Sequence, residues 1–196
     1  MILKYLIVLL FLFLTGTALA QQAPEGLFIA SRAPDFRGVD QNGQQVRLKE
    51  LLKKGKVVLV FYRGQWCPHC SRQLKKIQDS LMFIQEKAAA VVAVSPEKPE
   101  STRLMAEKTG AAFPILHDEG LKIMKAYDVE FEVPENTLTR YRNTGIRIEE
   151  NNGSNGKYLP IPAVYIIDQE STIIYRFFEP DYKKRPSVRE ILAELD

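Results

Sequence analysis

The amino-acid sequence predicts one α/β domain organised around a β-α-β unit. Residues 56–62 form a run that is apolar and β-branched after Lys56, which is typical of a strand buried on both faces of a sheet. Residues 90–95 form a second run of the same kind. Between the two runs, apolar positions recur at steps of four and three: Cys70, Leu74, Ile77, Leu81 and Ile84. That spacing indicates one buried stripe of an amphipathic helix, so the two strands are expected to be parallel.

Boundary residues and apolar runs predict the remaining elements. We expect a helix over residues 99–109 that ends at Gly110, a short strand over 113–117 and a helix over 119–127. Residues 163–167 and 172–178 predict an antiparallel hairpin, and Pro186 opens a last helix. Residues 143–157 are rich in Asn and Gly without periodicity, so they predict a long exposed loop, and residues 21–32 predict a loose leader. The domain is expected to span residues 33–196.

Length and composition limit the classes of function. The chain has 196 residues, which suits one domain with a substantial core. Its 27 Lys+Arg and 24 Asp+Glu are interspersed and give a net charge of +3, so no basic face is expected and nucleic acid is excluded as a partner. Two cysteines cannot build a disulfide-dense scaffold.

The first twenty residues predict a secretory signal. Lys4 precedes an apolar run, and the segment ends in small residues at Ala18 and Ala20. The run is shorter than the roughly 20 residues of a membrane span, although an uncleaved anchor is the alternative. No Cys follows the run, which disfavours a lipoprotein. We expect a periplasmic protein that has no stable membrane span after cleavage.

The most specific chemistry lies in the Trp-Cys-Pro-His-Cys sequence of residues 66–70. Cys67 is expected at a helix N-terminus, where free amides and the helix dipole favour a thiolate, and Cys70 faces inward on the apolar stripe. We therefore expect Cys67 to attack and Cys70 to resolve. Pro68 suits the first helical turn, and a positive charge on His69 would favour the thiolate, which predicts a relatively oxidising couple.

Two other uses of the cysteines are open but weaker. A structural disulfide closing so short a loop would constrain the unfolded chain very little. A zinc site would need further ligands, and the only histidines are His69 and His117, of which His69 lies between the cysteines. We expect neither a metal nor another cofactor.

Four segments together resemble the thioredoxin-like superfamily, and more closely its peroxiredoxin-like AhpC/TSA (redoxin) branch: residues 33–36, 61–70, 160–168 and 180–182. The resemblance implies a thioredoxin-like fold, with a central mixed sheet flanked by helices on both faces. It also implies that Pro162 is a cis-proline facing the active site, with a backbone edge free to hold a substrate. Trp66 would shield the reactive sulfur, form a contact platform or simply pack against its neighbours.

The sequence departs from that family at three positions. Peroxiredoxins place Thr where this chain has Gly64 and Arg where it has Pro162, while thioredoxins often bury Asp where it has Phe61. Arg63 would be a substitute for the missing Arg or a solvated loop cation. Two functions therefore remain open. One is an exported thiol-disulfide oxidoreductase that exchanges with protein thiols; the other is a peroxiredoxin-like hydroperoxide reductase. Both require an external thiol reductant or oxidant.

Overall fold

The computed structural model describes residues 23–196, so the expected signal sequence lies outside the described residues. Within them, no helix combines the length and apolarity needed to cross a membrane. The strands are β1 Arg37–Val39, β2 Gln45–Arg47, β3 Lys56–Phe61, β4 Ala89–Ser95, β5 Ile115–His117, β6 Glu130–Glu132, β7 Tyr158–Pro160, β8 Ala163–Ile167 and β9 Ile173–Phe178. The α-helices are α1 Leu48–Leu52, α2 Pro68–Asp79, α3 Leu81–Glu86, α4 Pro99–Thr109, α5 Lys122–Ala126, α6 Glu135–Asn143, α7 Ile148–Asn152 and α8 Val188–Ala193, and 3-10 turns lie at Glu119–Leu121 and Gly153–Asn155.

A seven-stranded mixed sheet forms the centre, in the order β2-β1-β5-β4-β3-β8-β9. The predicted β-α-β unit is confirmed, because β3 and β4 are parallel with Lys56 opposite Ala89. The predicted hairpin is confirmed as well, since β8 and β9 are antiparallel. Strand β3 lies between β4 and β8, which explains its continuously apolar sequence.

The alternation of side chains along β3 divides the core into two layers. Leu59 belongs to the layer shared with α1 and α5, whereas Val58 and Val60 belong to the layer shared with α2, α3, α4 and α8. The expectation of helices on both faces of the sheet is therefore confirmed. The cysteines belong to the second layer.

The helix that follows β3 is shorter than its apolar stripe suggests. The stripe predicts one helix to Ile84, but α2 ends at Asp79 and α3 begins at Leu81. Ser80 separates them, and its N–H bonds back only three residues to the carbonyl of Ile77, at 3.1 Å, which is a tightened final turn. The stripe stays buried across the break. The periodicity therefore predicts the buried face of the helices correctly but does not show that two helices share it.

Two segments that the sequence predicts to be a loop and a loose leader are held in place in the structure. Residues 143–157 contain α7 and a 3-10 turn, and Asn155 is buried, donating from Nδ2 to the carbonyls of Pro96 at 2.7 Å and Asp118 at 2.9 Å. The predicted leader is tied to β9, since the N–H of Ala30 donates to the carbonyl of Ile173 at 2.8 Å. Local composition does not predict this order, because hydrogen bonds to residues far away in the sequence satisfy the Asn155 side chain and the backbone of the leader.

Candidate redox site

The two cysteines lie where the chain passes from β3 into α2. Cys67 is the N-cap of α2, and Pro68 is the first helical residue, where its missing N–H leaves no bond unmade. Both thiols are free and buried, with Cys67 1% and Cys70 0% exposed. Their sulfur atoms are 2.7 Å apart and share a hydrogen bond. A disulfide of about 2.0 Å would need only a small movement.

The surroundings of the two thiols shift their pKa values in opposite directions. The hydrogen bond with Cys70, together with burial, raises the pKa of Cys67 well above its usual value. Burial also raises the pKa of Cys70, but the hydrogen bond with Cys67 and the charge of Arg185 outweigh it and lower that pKa overall. The helix N-terminus predicts the thiolate on Cys67, whereas the hydrogen bond between the thiols and the charge of Arg185 favour it on Cys70. Which sulfur attacks and which resolves stays a prediction.

Arg185 reaches the pair from the segment between β9 and α8. Its Nη2 lies 3.4 Å from the Cys70 sulfur, and its Nε donates to Oε1 of Gln73 at 2.8 Å. Its Nη1 donates to the carbonyls of Tyr182 at 2.5 Å and Lys184 at 2.6 Å. The guanidinium is thus fixed between α2 and the C-terminal segment, with one edge against the sulfur.

Arg63 is held by three aromatic rings, which we call the aromatic cluster: Trp66, Tyr141 and Tyr182. Its guanidinium carbon lies 5.0, 5.5 and 4.4 Å from the respective ring centroids. It also donates a hydrogen bond to the hydroxyl of Tyr141. Arg63 is only 5% exposed, so the interpretation of a solvated loop cation is wrong. A buried cation over three π-faces carries a fixed charge that water screens little.

A buried carboxyl group faces the loop before the cysteines. Glu97 is 0% exposed and accepts a hydrogen bond from the N–H of Gln65 at Oε2, at 2.6 Å, while its Oε1 has no partner among the described residues. Burial raises the pKa of Glu97 to about 8; the bond from Gln65 opposes the rise and the negative charge of Cys70 adds to it. The carboxyl is therefore mainly protonated at neutral pH.

The position of Glu97 explains the glycine that replaces the family's threonine. A β-carbon on Gly64 would lie 2.8 Å from Oε1 of Glu97 and would also collide with the indole nitrogen of Trp66. Such contacts are closer than packed atoms tolerate. Gly64 is needed because two side chains close over its α-carbon.

The structure brings Trp66, Pro68 and His69 to the cysteine pair but corrects the expectation for Pro162. Trp66 packs against Tyr141 at 5.3 Å, and His69 lies edge-on to Tyr182 at 5.8 Å between ring centroids. No cis peptide bond occurs in residues 23–196, so the bond before Pro162 is trans. Pro162 is buried beside the end of β3, and its carbonyl accepts from the N–H of Glu179 at 3.2 Å. Its edge is occupied by the hairpin rather than free.

The sequence interpretation missed Glu97, Tyr141 and Arg185. Each lies far from the cysteines along the chain; Arg185 and Cys70 are 115 positions apart. The only local signal was the position of Glu97 just past the end of a buried strand, a common place for site residues. His117 holds that loop, since its Nδ1 lies 2.7 Å from the carbonyl oxygen of Glu97. Residues 23–196 contain no cluster of three or more His, Cys, Asp or Glu that could hold a metal.

Comparisons with known proteins identify the family of this chain. The sequence model of the AhpC/TSA family matches residues 29–176. The chain is 30% identical over 99 residues to the thiol-disulfide oxidoreductase ResA of Halalkalibacterium halodurans, which is 50% of this chain and 55% of that protein. It is 36% identical over 100 residues to the chloroplastic peroxiredoxin Q of Sedum lineare, which is 50% of this chain and 53% of that protein. The chain thus spans about half the length of these curated relatives.

A solved structure shows the same fold. The peroxidoxin BcpB of Mycobacterium tuberculosis superposes with a TM-score of 0.66 at 22% identity, and the superposition covers 85% of this chain and 95% of that one. At that identity the likeness shows the fold alone. It confirms the thioredoxin-like architecture that the sequence motifs implied.

Proposed function

Because this chain belongs to the AhpC/TSA family of thiol-dependent oxidoreductases, we propose that it exchanges disulfides with protein thiols through the Cys67–Cys70 pair. One observation carries the proposal: two free thiols stand 2.7 Å apart at a helix start, with a guanidinium on one of them. A dithiol in that geometry closes to a disulfide and reopens without moving the backbone far.

The exchange conserves electrons and protons. In the reducing direction, one cysteine thiolate attacks a sulfur of the substrate disulfide and the other substrate sulfur leaves as a thiolate, which takes up a proton. The second cysteine then attacks the mixed disulfide, closing Cys67–Cys70 and releasing the second substrate thiol. Two electrons pass to the substrate. An external dithiol reverses these steps and restores the pair.

Arg185 and Glu97 support different steps of this exchange. The charge of Arg185 stabilises a thiolate on Cys70, the sulfur that it touches. Glu97 holds a proton near neutral pH in the same buried region, and its pKa responds to charge on Cys70. A group with that pKa can take up or release a proton when the pair opens or closes.

Trapping of partners tests this function. Cys70→Ser keeps the thiol of Cys67 and removes the sulfur that would release a bound partner, so mixed disulfides should accumulate and be released by dithiothreitol. Cys67→Ser is the matched control, which reverses the roles if Cys70 is the attacking sulfur. Wild-type protein should also reduce insulin. Absence of trapped partners in both variants, with no insulin reduction, contradicts the proposal.

A second candidate is a hydroperoxide reductase, favoured by the buried Arg63 beside the motif. The charge of Arg63 acts to lower the pKa of Cys67 and could stabilise a departing oxygen. Cys67 thiolate would attack the peroxide, giving the sulfenic acid and an alkoxide that takes up a proton. Cys70 would then condense with the sulfenic acid, releasing water and closing the disulfide. Fast, saturable peroxide consumption that Cys67→Ser abolishes would favour this function over disulfide exchange.

Export is a separate part of the proposal and rests on residues 1–20 alone. Cell fractionation of the full chain, with an N-terminal sequence of the product, tests it. Recovery in the periplasmic fraction with the first residues removed would agree with export. Recovery in the cytosol with Met1 retained would contradict it.

A further inference from the structure

A cavity of about 530 Å³ opens along α2 close to the cysteine pair, with His69 and Arg185 in its lining. Its wall combines side chains of α2 with the segment between β9 and α8. The charged residues that line it are Arg72, Lys76, Lys183 and Arg185, with Asp79 as the single carboxylate. A volume of this size is typical of sites that bind small molecules.

The cations of this wall lack counter-charges. Within residues 23–196, none of the four forms an ion pair, whereas Asp79 is already paired with Lys75. What distinguishes them is that the four line one concave space with no free carboxylate among them. Crowding unpaired like charges around one concave space is unfavourable unless an anion enters it.

The same cations act on His69. It lines the cavity, and its pKa is lowered first by desolvation and then by the charges of Arg72, Arg185, Lys183 and Arg63. A neutral imidazole in this position leaves the cavity open to a negatively charged group and can still hydrogen-bond to it.

The cavity is also connected to the redox chemistry through Arg185. That side chain lines the cavity and places Nη2 3.4 Å from the Cys70 sulfur. An anion held by the other cations would therefore be separated from the Cys70 sulfur only by the side chain of Arg185.

We propose that this cavity is a carboxylate-binding subsite that selects small anionic thiols as exchange partners of the Cys67–Cys70 pair. The inference rests on the proposed function. With the pair oxidised, the bound ligand's thiolate attacks one cysteine sulfur and the other leaves as a thiolate, which takes up a proton. A second ligand thiolate attacks the mixed disulfide, so the small disulfide is released and both cysteines are reduced, with two electrons transferred.

Glutathione serves as the anionic probe and 2-mercaptoethanol as the neutral one. Lys76→Gln/Lys183→Gln removes two charges that touch neither sulfur, and Lys122→Gln/Lys125→Gln is the matched control on exposed positions of α5, on the opposite face of the sheet. For each thiol, the rate of reduction of the oxidised protein is compared between variant and wild type, so that intrinsic thiol reactivity cancels. We expect the cavity variant to react about fivefold to tenfold more slowly with glutathione and equally fast with 2-mercaptoethanol, and the control to change neither rate.

Binding without chemistry provides a second readout. S-Methylglutathione has no free thiol, so its binding is measurable even if the cysteines are inert, through the proton NMR signals of the two histidines. Saturable binding should shift His69 and raise its pKa, leave His117 unchanged, and weaken in the cavity variant and in salt.

Three outcomes overturn the subsite. They are equal loss of rate with both thiols, no saturable shift of His69, and tighter binding of an acidic peptide such as hexaglutamate than of S-methylglutathione. If 2-mercaptoethanol reduces the pair normally while glutathione shows no dependence on Lys76 and Lys183, only the subsite fails. If no thiol exchanges with the pair while S-methylglutathione binds, the proposed function fails and the binding site remains.

Discussion

Two regions near the cysteine pair use positive charge in opposite ways: the aromatic cluster around Arg63, which we call the closed side, and the cavity lined by Arg185, which we call the open side. On one side, Arg63 is buried among Trp66, Tyr141 and Tyr182, and its charge is satisfied by π-faces and a hydroxyl. On the other side, several exposed cations surround an open cavity without counter-ions. A buried, satisfied cation stabilises the fold and supplies a fixed field, whereas unpaired cations at a cavity stabilise nothing until an anion arrives. Substitutions on the two sides should therefore have different signatures.

The largest expected effect on stability belongs to Glu97, which lies on the closed side and, like Trp66, close to Gly64. Because burial raises its folded pKa to about 8 from the usual 4.5, the native state keeps a proton that the unfolded state loses between these values. The free energy of unfolding should therefore fall as pH rises from about 4.5 to about 8 and then level off. Glu97→Gln keeps the shape and removes the ionisation.

Urea unfolding of wild type and Glu97→Gln across pH 4.5 to 9 measures this effect. The variant should gain stability relative to wild type with rising pH, by about 4 kcal/mol at pH 8 and above. Other titrating groups cancel in the difference because both proteins contain them. A difference that stays constant with pH would show that Glu97 ionises normally.

The next effect concerns Arg63 itself. Arg63→Gln loses the contacts with three rings and the charge-assisted bond to Tyr141, so the free energy of unfolding should fall by about 2 kcal/mol. Arg140→Gln, an exposed arginine on α6 beside Tyr141, should change it by no more than about 0.5 kcal/mol. Denaturant midpoints at constant slope measure both. Equal effects of the two substitutions would remove the distinction between a buried and a solvated cation.

Arg185 connects the two sides, and its expected effect is on reactivity. Arg185→Gln removes the positive charge from the Cys70 sulfur, so the pKa of that thiol should rise. Alkylation by iodoacetamide at pH 6 should slow by about fivefold to tenfold and approach the wild-type rate at pH 9. Arg189→Gln, exposed on α8, is the matched control. A rate lowered equally at all pH values would instead indicate a change in access to the sulfur.

The smallest expected effect is on the open side. Lys76→Gln/Lys183→Gln removes unpaired cations, so the stability should rise by at most about 0.5 kcal/mol at low salt and match wild type at high salt. Denaturant unfolding at two ionic strengths measures it. A loss above about 1 kcal/mol would mean that these lysines hold the fold together, and the contrast between the two sides would disappear.

Much of the fold could be read from local pattern. The apolar run of β3 and the stripe of α2 identified the β-α-β unit, because a strand buried on both faces and an amphipathic helix have distinct periods. Gly110 marked the end of α4, where the backbone has φ of +67°. Local pattern did not predict the break at Ser80, because the apolar stripe continues across it. It also did not predict the burial of Asn155, because the groups that bond its amide lie far away in the sequence.

The sequence by itself determined that two cysteines start a helix after a buried strand, since spacing and periodicity are local properties of the chain. Only the tertiary structure decided which charges meet them. Arg185 against Cys70, Arg63 within its aromatic cluster and Glu97 over Gly64 come from four separate parts of the chain. The geometry of Pro162 was decided in the same way, as the hairpin that buries it also occupies its carbonyl. Electrostatic interactions depend on distance and burial, and neither is written in the order of residues.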